Sequence, residues 1–226
     1  MSQAADWIAS EIADVGEQTR LVAERYDGMF PALRSALSYE LSQATSLAEG
    51  ARAVMEIADA AATALMTHFP NQPARDCRAG CDACCHLYVM IPPGIAEAIG
   101  EHLTERLDPP AVAELRAELE KAAAAAAALA DPFTLRHRCP LLGPGGLCTI
   151  YEVRPLTCRA FTSKSAAACR SLVFDPDGPV SSVAQNPSQF RVYVEATGVL
   201  EQEARSRGLP AQQKGLAAAL LEVLPG

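Results

Sequence analysis

Cys77-Arg78-Ala79-Gly80-Cys81-Asp82-Ala83-Cys84-Cys85 places four thiols in nine residues. Cys139, Cys148, Cys158 and Cys169 follow, so all eight cysteines lie between residues 77 and 169 and neither flank holds one. As a helix, residues 77–85 would carry their thiols within an arc of about 100°. Gly80 disfavours that helix, and a turn leading into a helix would gather the thiols equally well. Neighbours such as Cys84 and Cys85 rarely both reach one tetrahedral ion without strain. The pair therefore points to two metals, a bridging thiolate, or one ligand beside a redox-active thiol.

Three chemistries compete for such a cluster: metal or iron-sulfur binding, disulfide exchange, and inert thiols. The start, Met1-Ser2-Gln3-Ala4-Ala5-Asp6-Trp7, has neither the basic opening nor the apolar core of a secretory signal, so the expected compartment is the cytoplasm. Closely spaced cysteines in a reducing compartment bind metal or act catalytically more often than they form structural bridges. Metal binding leads. Its candidate ligands are Cys77, Cys81, Cys84, Cys85, Cys139, Cys148, Cys158 and Cys169.

The second half of the constellation contains Cys139-Pro140-Leu141, then Cys148-Thr149-Ile150-Tyr151-Glu152-Val153-Arg154-Pro155-Leu156-Thr157-Cys158-Arg159, with Phe161 three residues after Cys158. Together with the first cluster, this pattern resembles the YkgJ family of bacterial cysteine-cluster proteins, described as zinc- or iron-chelating. The resemblance covers about residues 77–161. It implies metal binding without a settled reaction. A related cluster in bacterial flagellin lysine methylases resembles an iron-sulfur site, which keeps cluster-dependent redox or group-transfer chemistry as the alternative function.

Eight thiolates suffice for two tetrahedral zinc sites. Four would hold a 4Fe-4S cluster, leaving four for a second metal or free. The spacings do not follow the paired Cys-x2-Cys of zinc fingers, which tilts the choice slightly toward iron or a polynuclear site. Cys77-x3-Cys81-x2-Cys84 also matches the cluster triplet of radical S-adenosylmethionine enzymes, but the strand–helix alternation of their barrel is missing here. His86 and His137 are weaker ligand candidates. Tyr151 and Phe161 read as packing that would cover the site.

Arg75, Arg78, Arg136, Arg138, Arg154, Arg159 and Arg170 all lie within five residues of a cysteine. Cations favour thiolate over thiol; salt bridges to Asp76, Asp82, Asp131 and Glu152 would account for them equally well. Arg154 and Arg159 belong to the family-like motif and are the candidates for groups facing the bound metal or a substrate.

The 226 residues, half of them apolar, are enough for a sizeable core, so no metal is needed to rescue a tiny fold. A net charge of −8 disfavours broad nucleic-acid binding. The longest apolar block, residues 122–130, is too short to cross a membrane. Gly143, Gly145 and Gly146 read as a loop returning the chain to the site, and they lack the Lys-Ser/Thr of a phosphate loop.

The expected fold is mainly α, with helical flanks around a central irregular cysteine-rich metal-binding module. Residues 1–69 form an N-terminal helical region, 70–179 the module with inserted helices, and 180–226 C-terminal helices packing on it. Asp6 caps a first helix carrying Trp7, Ile8, Ile12, Val15, Leu21 and Val22. Pro31 opens a second helix with Leu33, Leu37 and Leu41, which Gly50 divides and the Pro70–Pro73 segment ends. Leu87-Tyr88-Val89-Met90-Ile91 reads as extended, 94–107 and 111–130 as helices, Asp175-Pro176-Asp177-Gly178-Pro179 as a turn closing the module, and Asn186 onward and 209–224 as the last helices. The long alanine run in 122–128 requires no function. A protein partner through the flanks is also considered, with a test in whether 31–69 exposes an apolar stripe.

Overall fold

The computed structural model describes residues 3–69, 72, 74–175 and 177–226. The expected breaks at Pro70, Asn71 and Pro73, and Pro176 of the second turn, lie outside them.

The chain is mainly helical, with one two-residue sheet pairing. Helix α1 (Gln3–Gln43) runs through Pro31, where a new helix was expected. Proline removes one backbone donor, and the helix survives because Phe30, Leu37 and Leu41 on either side are fully buried. The break comes later. Ser46 caps α2 (Leu47–His68) by accepting from the Glu49 amide at 3.1 Å, while Glu49 reaches back to the Thr45 amide and hydroxyl at 2.7 Å each. This reciprocal cap fixes the helix start.

Gly50, expected to divide a helix, lies buried in the first turns of α2. A Cβ there would meet Leu41 Cδ2 at 2.6 Å. The glycine lets α1 and α2 approach closely and breaks nothing.

The segment after the cysteine cluster is extended, as its β-rich composition suggests. Its strand β1 (Met90–Ile91) pairs antiparallel with β2 (Lys214–Gly215). Gly94, in the left-handed region with φ 85°, turns the chain into α3 (Ile95–Arg106), whose Ile95, Ile99 and Leu103 are buried. Asp108 caps α4 (Pro109–Ala127) by accepting from the Ala111 amide at 2.9 Å. Two short helices follow, α5 (Leu156–Ala160) and α6 (Ala166–Phe174). Asn186 then caps α7 (Pro187–Ser206), and α8 (Leu216–Val223) follows β2.

One apolar core extends from Phe30 to Leu224 and takes in α2, α3, α7 and α8 together with Leu141, Ile150 and Leu156 of the cysteine region. A smaller cluster of Ala83, Cys169 and Val173 sits apart from it. The helices α1, α2 and α7 pack on one another, and α5 sits on α7. Residues 31–69 thus spend their apolar stripe on the core. Large apolar side chains left exposed recur on the first half of α1, from Trp7 to Val22, and stand elsewhere at scattered positions such as Tyr39, Phe133 and Tyr151.

Candidate metal centre

The first cluster is a turn leading into a helix. Gly80 takes φ 83°, the Cys81 amide donates to the Arg78 carbonyl at 3.0 Å, and Ala83–His86 form a single 3-10 turn. Successive side chains on a 3-10 helix diverge by about 120°. The Cys84 and Cys85 thiols are nonetheless close enough to be hydrogen-bonded to each other.

Backbone pairing brings the second set to this turn. The Cys139 amide donates to the Cys85 carbonyl at 2.7 Å and the His137 amide to the His86 carbonyl at 2.9 Å. Leu87 and Arg136 form an antiparallel bridge. A hairpin then returns Cys148: the Gly143 amide donates to Leu147 at 2.8 Å, and Leu142 bridges Cys148. Gly146, at φ 73°, approaches Gly80 so closely that a Cβ would lie 2.9 Å from its carbonyl oxygen. The glycine-rich loop does return to the first cluster.

Cys158 rides on α5 and Cys169 on α6, which packs on the 3-10 turn. Ser163 was not singled out from the sequence, yet it organises this end. Its amide donates to Cys77 Sγ at 3.3 Å, its carbonyl accepts from the Asp76 amide at 2.9 Å, and its side chain is hydrogen-bonded to Cys169. Asp76 also accepts from the Ala166 amide at 2.8 Å, at the start of α6. No local pattern marks the Cys77 and Asp76 contacts, because they join residues 86 to 90 positions apart.

All eight cysteines are free thiols. Their mutual influence divides them. Burial, then the neighbours Cys77, Cys84 and Cys169, raises the Cys81 pKa. Cys169 is raised by burial and by Cys77 and Cys84, against its bond to Ser163. On the other side, burial pushes Cys158 up to about 12, with Cys139, Cys84 and Cys148 adding to the rise and Arg154 opposing it. Burial raises Cys139 too, and Cys148 and Cys84 add to it. Cys84 is raised furthest, first by its hydrogen bond to Cys85, then by burial and the Cys85 charge, again against Arg154. It is the thiol whose influence reaches both groups.

Among the described residues, no three His, Cys, Asp or Glu side chains converge as they stand on a position that would hold an ion. The donor set nonetheless fits a thiophilic metal: eight unbridged thiols, five of which have their ionisation opposed by neighbouring cysteines, with cations alongside. A divalent ion replacing the protons would relieve that repulsion.

The two motif arginines part company. Arg154 lies near Cys84 and Cys158, favouring the thiolate of each, and stacks over Tyr151 at 5.2 Å. Arg159 faces the helical scaffold. It is ion-paired with Asp59 of α2, donates to the Glu152 carbonyl at 2.7 Å, and shares Asp59 with the Tyr193 hydroxyl at 2.8 Å. Of the other arginines, Arg78 pairs with Asp76 at 2.8 Å and Arg170 with Asp82 at 3.3 Å. Arg138 donates to the Leu142 carbonyl and favours the Cys139 thiolate. Both candidate imidazoles are engaged with backbone, His86 Nδ1 with the Asp82 carbonyl at 3.2 Å and His137 Nδ1 with Arg138 at 2.9 Å.

Residues 76–175 match a family model, CxxCxxCC, described as a "putative zinc- or iron-chelating domain". The match takes in all eight cysteines and under half of the chain. No curated protein and no solved structure matches the chain. No helix among the described residues is long and apolar enough to cross a membrane.

Proposed function

We propose that this chain is a metal-binding protein of YkgJ type that holds zinc or iron through Cys77, Cys81, Cys84, Cys85, Cys139, Cys148, Cys158 and Cys169, in a structural or metal-handling role within the reducing cytoplasm. The observation that supports this reading is the match of residues 76–175, with all eight free thiols, to a zinc- or iron-chelating domain model, together with the backbone pairing that brings Cys139 to the 3-10 turn of Cys84 and Cys85. Mutual influence on ionisation groups Cys77, Cys81 and Cys169 together and Cys139, Cys148 and Cys158 together, with Cys84 of the Cys84–Cys85 pair acting on both trios. Each trio completed by one thiol of the pair makes a four-thiolate site.

Bound there, a metal would cross-link the segments, and iron with sulfide would add one-electron redox capacity. Arg154 would offset the excess negative charge of the thiolates. Ser163 and Asp76 would hold Cys77 against α6.

Metal content and the absorption spectrum of protein purified without oxygen test this reading. One or two colourless zinc ions per chain, or iron, support it. Iron with matching sulfide and a broad visible band selects an iron-sulfur cluster, and makes redox and methyl-transfer assays the test of the enzymatic alternative. Protein that binds neither metal when reconstituted under reducing conditions sinks the reading and returns the thiols to disulfide chemistry.

A further inference from the structure

From Asp6 to Arg25 every residue of α1 is exposed. These twenty residues extend roughly 30 Å at 1.5 Å per residue. Ile8, Ile12, Val15 and Val22 are exposed by 47 %, 67 %, 60 % and 65 %. With Thr19 they recur at alternating steps of four and three, which is the seam of a two-stranded coiled coil. The stripe continues into Tyr26, Met29 and Leu33, which are packed against the core. The face that docks α1 onto the body thus runs on uncovered.

The residues flanking the seam say what covers it. On one side stand Glu11, Gln18 and Arg25, and on the other Ala9, Gly16 and Ala23. In an antiparallel pair centred near residue 17, Ile12 would meet Val22 of a second copy and Val15 would meet Thr19. Glu11 would then face Arg25 of the other chain, twice by symmetry. Such self-complementarity is the mark of a two-fold interface. Within one chain and among the described residues, neither Glu11 nor Arg25 is ion-paired, whereas Arg20 already bridges Glu17 and Glu24. A parallel pair would set Glu11 against Gly16 and leave both charges unmatched.

Gly16 adds an independent sign. A mid-helix glycine costs up to about 1 kcal/mol relative to alanine, yet a Cβ at Gly16 would meet nothing within 4 Å. In the antiparallel pair Gly16 faces Gly16 of the second copy at the symmetry axis, where a missing side chain lets the helices close up. Single-chain packing gives it no such use.

We propose that residues 8–25 of α1 form an antiparallel two-helix dimerisation arm with a second copy of this chain. Sedimentation equilibrium on the full chain under reducing conditions tests it, with metal content measured alongside. A dimer is expected, and a monomer at tens of micromolar overturns the proposal. Ile12→Asp should weaken the dimer at least about 100-fold by burying an unpaired carboxylate, with metal content unchanged because the site lies elsewhere. A dimer indifferent to this change overturns the seam. Glu11→Arg and Arg25→Glu should each weaken association, and the double variant should restore it; failure of either half overturns the antiparallel register. Gly16→Leu should raise helicity while weakening the dimer, an opposition that a purely local role for Gly16 does not produce.

Discussion

Arg154 and Arg159 stand five residues apart in one motif and do different work. The charge of the Arg154 guanidinium favours the thiolates of Cys84 and Cys158. Arg159 joins Asp59 on α2 and, through it, Tyr193 on α7, so it fastens the motif to the helical body. Burial, and then the bond to Asp59, raises the Tyr193 pKa, which keeps its hydroxyl a donor. Truncation should separate the two. Arg154→Gln should weaken zinc or iron binding by roughly 10-fold, the scale of groups that support a metal's ligands, with little change in the urea midpoint. Arg159→Ala should leave metal stoichiometry intact and lower stability by about 2 kcal/mol, below the range for breaking a fully buried pair because Asp59 is partly solvated. Chelator competition and urea titration read the two effects. The reverse pattern would place Arg159 at the site. The sequence marks both arginines through their motif, but it does not tell them apart, because what separates them is Asp59, a hundred positions upstream.

Among elements, α3 depends on a single backbone geometry. Gly94 takes φ 85°, and a Cβ there would sit 2.6 Å from the Leu47 carbonyl oxygen. Left-handed backbone and a clash with main chain compound each other, since neither can be relieved by turning a side chain. Gly94→Ala should destabilise the protein by at least about 1–2 kcal/mol, and an unchanged thermal midpoint would contradict the geometry. The α7 start at Asn186 and the extended run from Leu87 to Ile91 are legible in the sequence because each rests on residues within a few positions. The course of α1 is not. A proline signals a helix start only when nothing else holds the helix, and the burial of Phe30, Leu37 and Leu41 overrides it. Gly50 misleads for a related reason: a glycine that breaks a helix and one that admits a neighbouring helix look the same until the neighbour is known. The cysteines are legible as belonging to one segment, since residues 76–175, which carry all eight, match a single domain model. Which of them act on one another is not, since that depends on the Ser163 contacts and on the 139–148 hairpin folding back to the 3-10 turn.

At the scale of the molecule, the main apolar core from Phe30 to Leu224 includes no cysteine among its fully buried members, and Cys139 and Cys148 only border it. Helix packing should therefore survive loss of metal, while the segments around the thiols, irregular and glycine-turned, should loosen. Chelated protein is expected to keep its far-ultraviolet helicity and to become sensitive to limited proteolysis within 77–85 and 143–148. Global unfolding on chelation would show that the metal holds the helices too. The pH dependence of the two forms should run in opposite directions. In the metal-free protein, Cys81, Cys84, Cys139, Cys158 and Cys169 have folded pKa values raised above the ordinary thiol value of about 8.5. Between that value and the folded one, the unfolded chain sheds protons that the folded chain retains. Their contribution to stability is thus fully present below about pH 8.5 and is lost as pH rises through the folded values, about 12 for Cys158. Metal-free protein should lose stability to urea between roughly pH 9 and 12. In the loaded protein the same thiols must give up protons to bind the ion, so affinity should fall as pH drops, and loading should release protons into weak buffer. Proton release that vanished on replacing Cys158 and Cys169 by serine would tie both trends to these sulfurs, whereas release unchanged by those replacements would place the metal elsewhere.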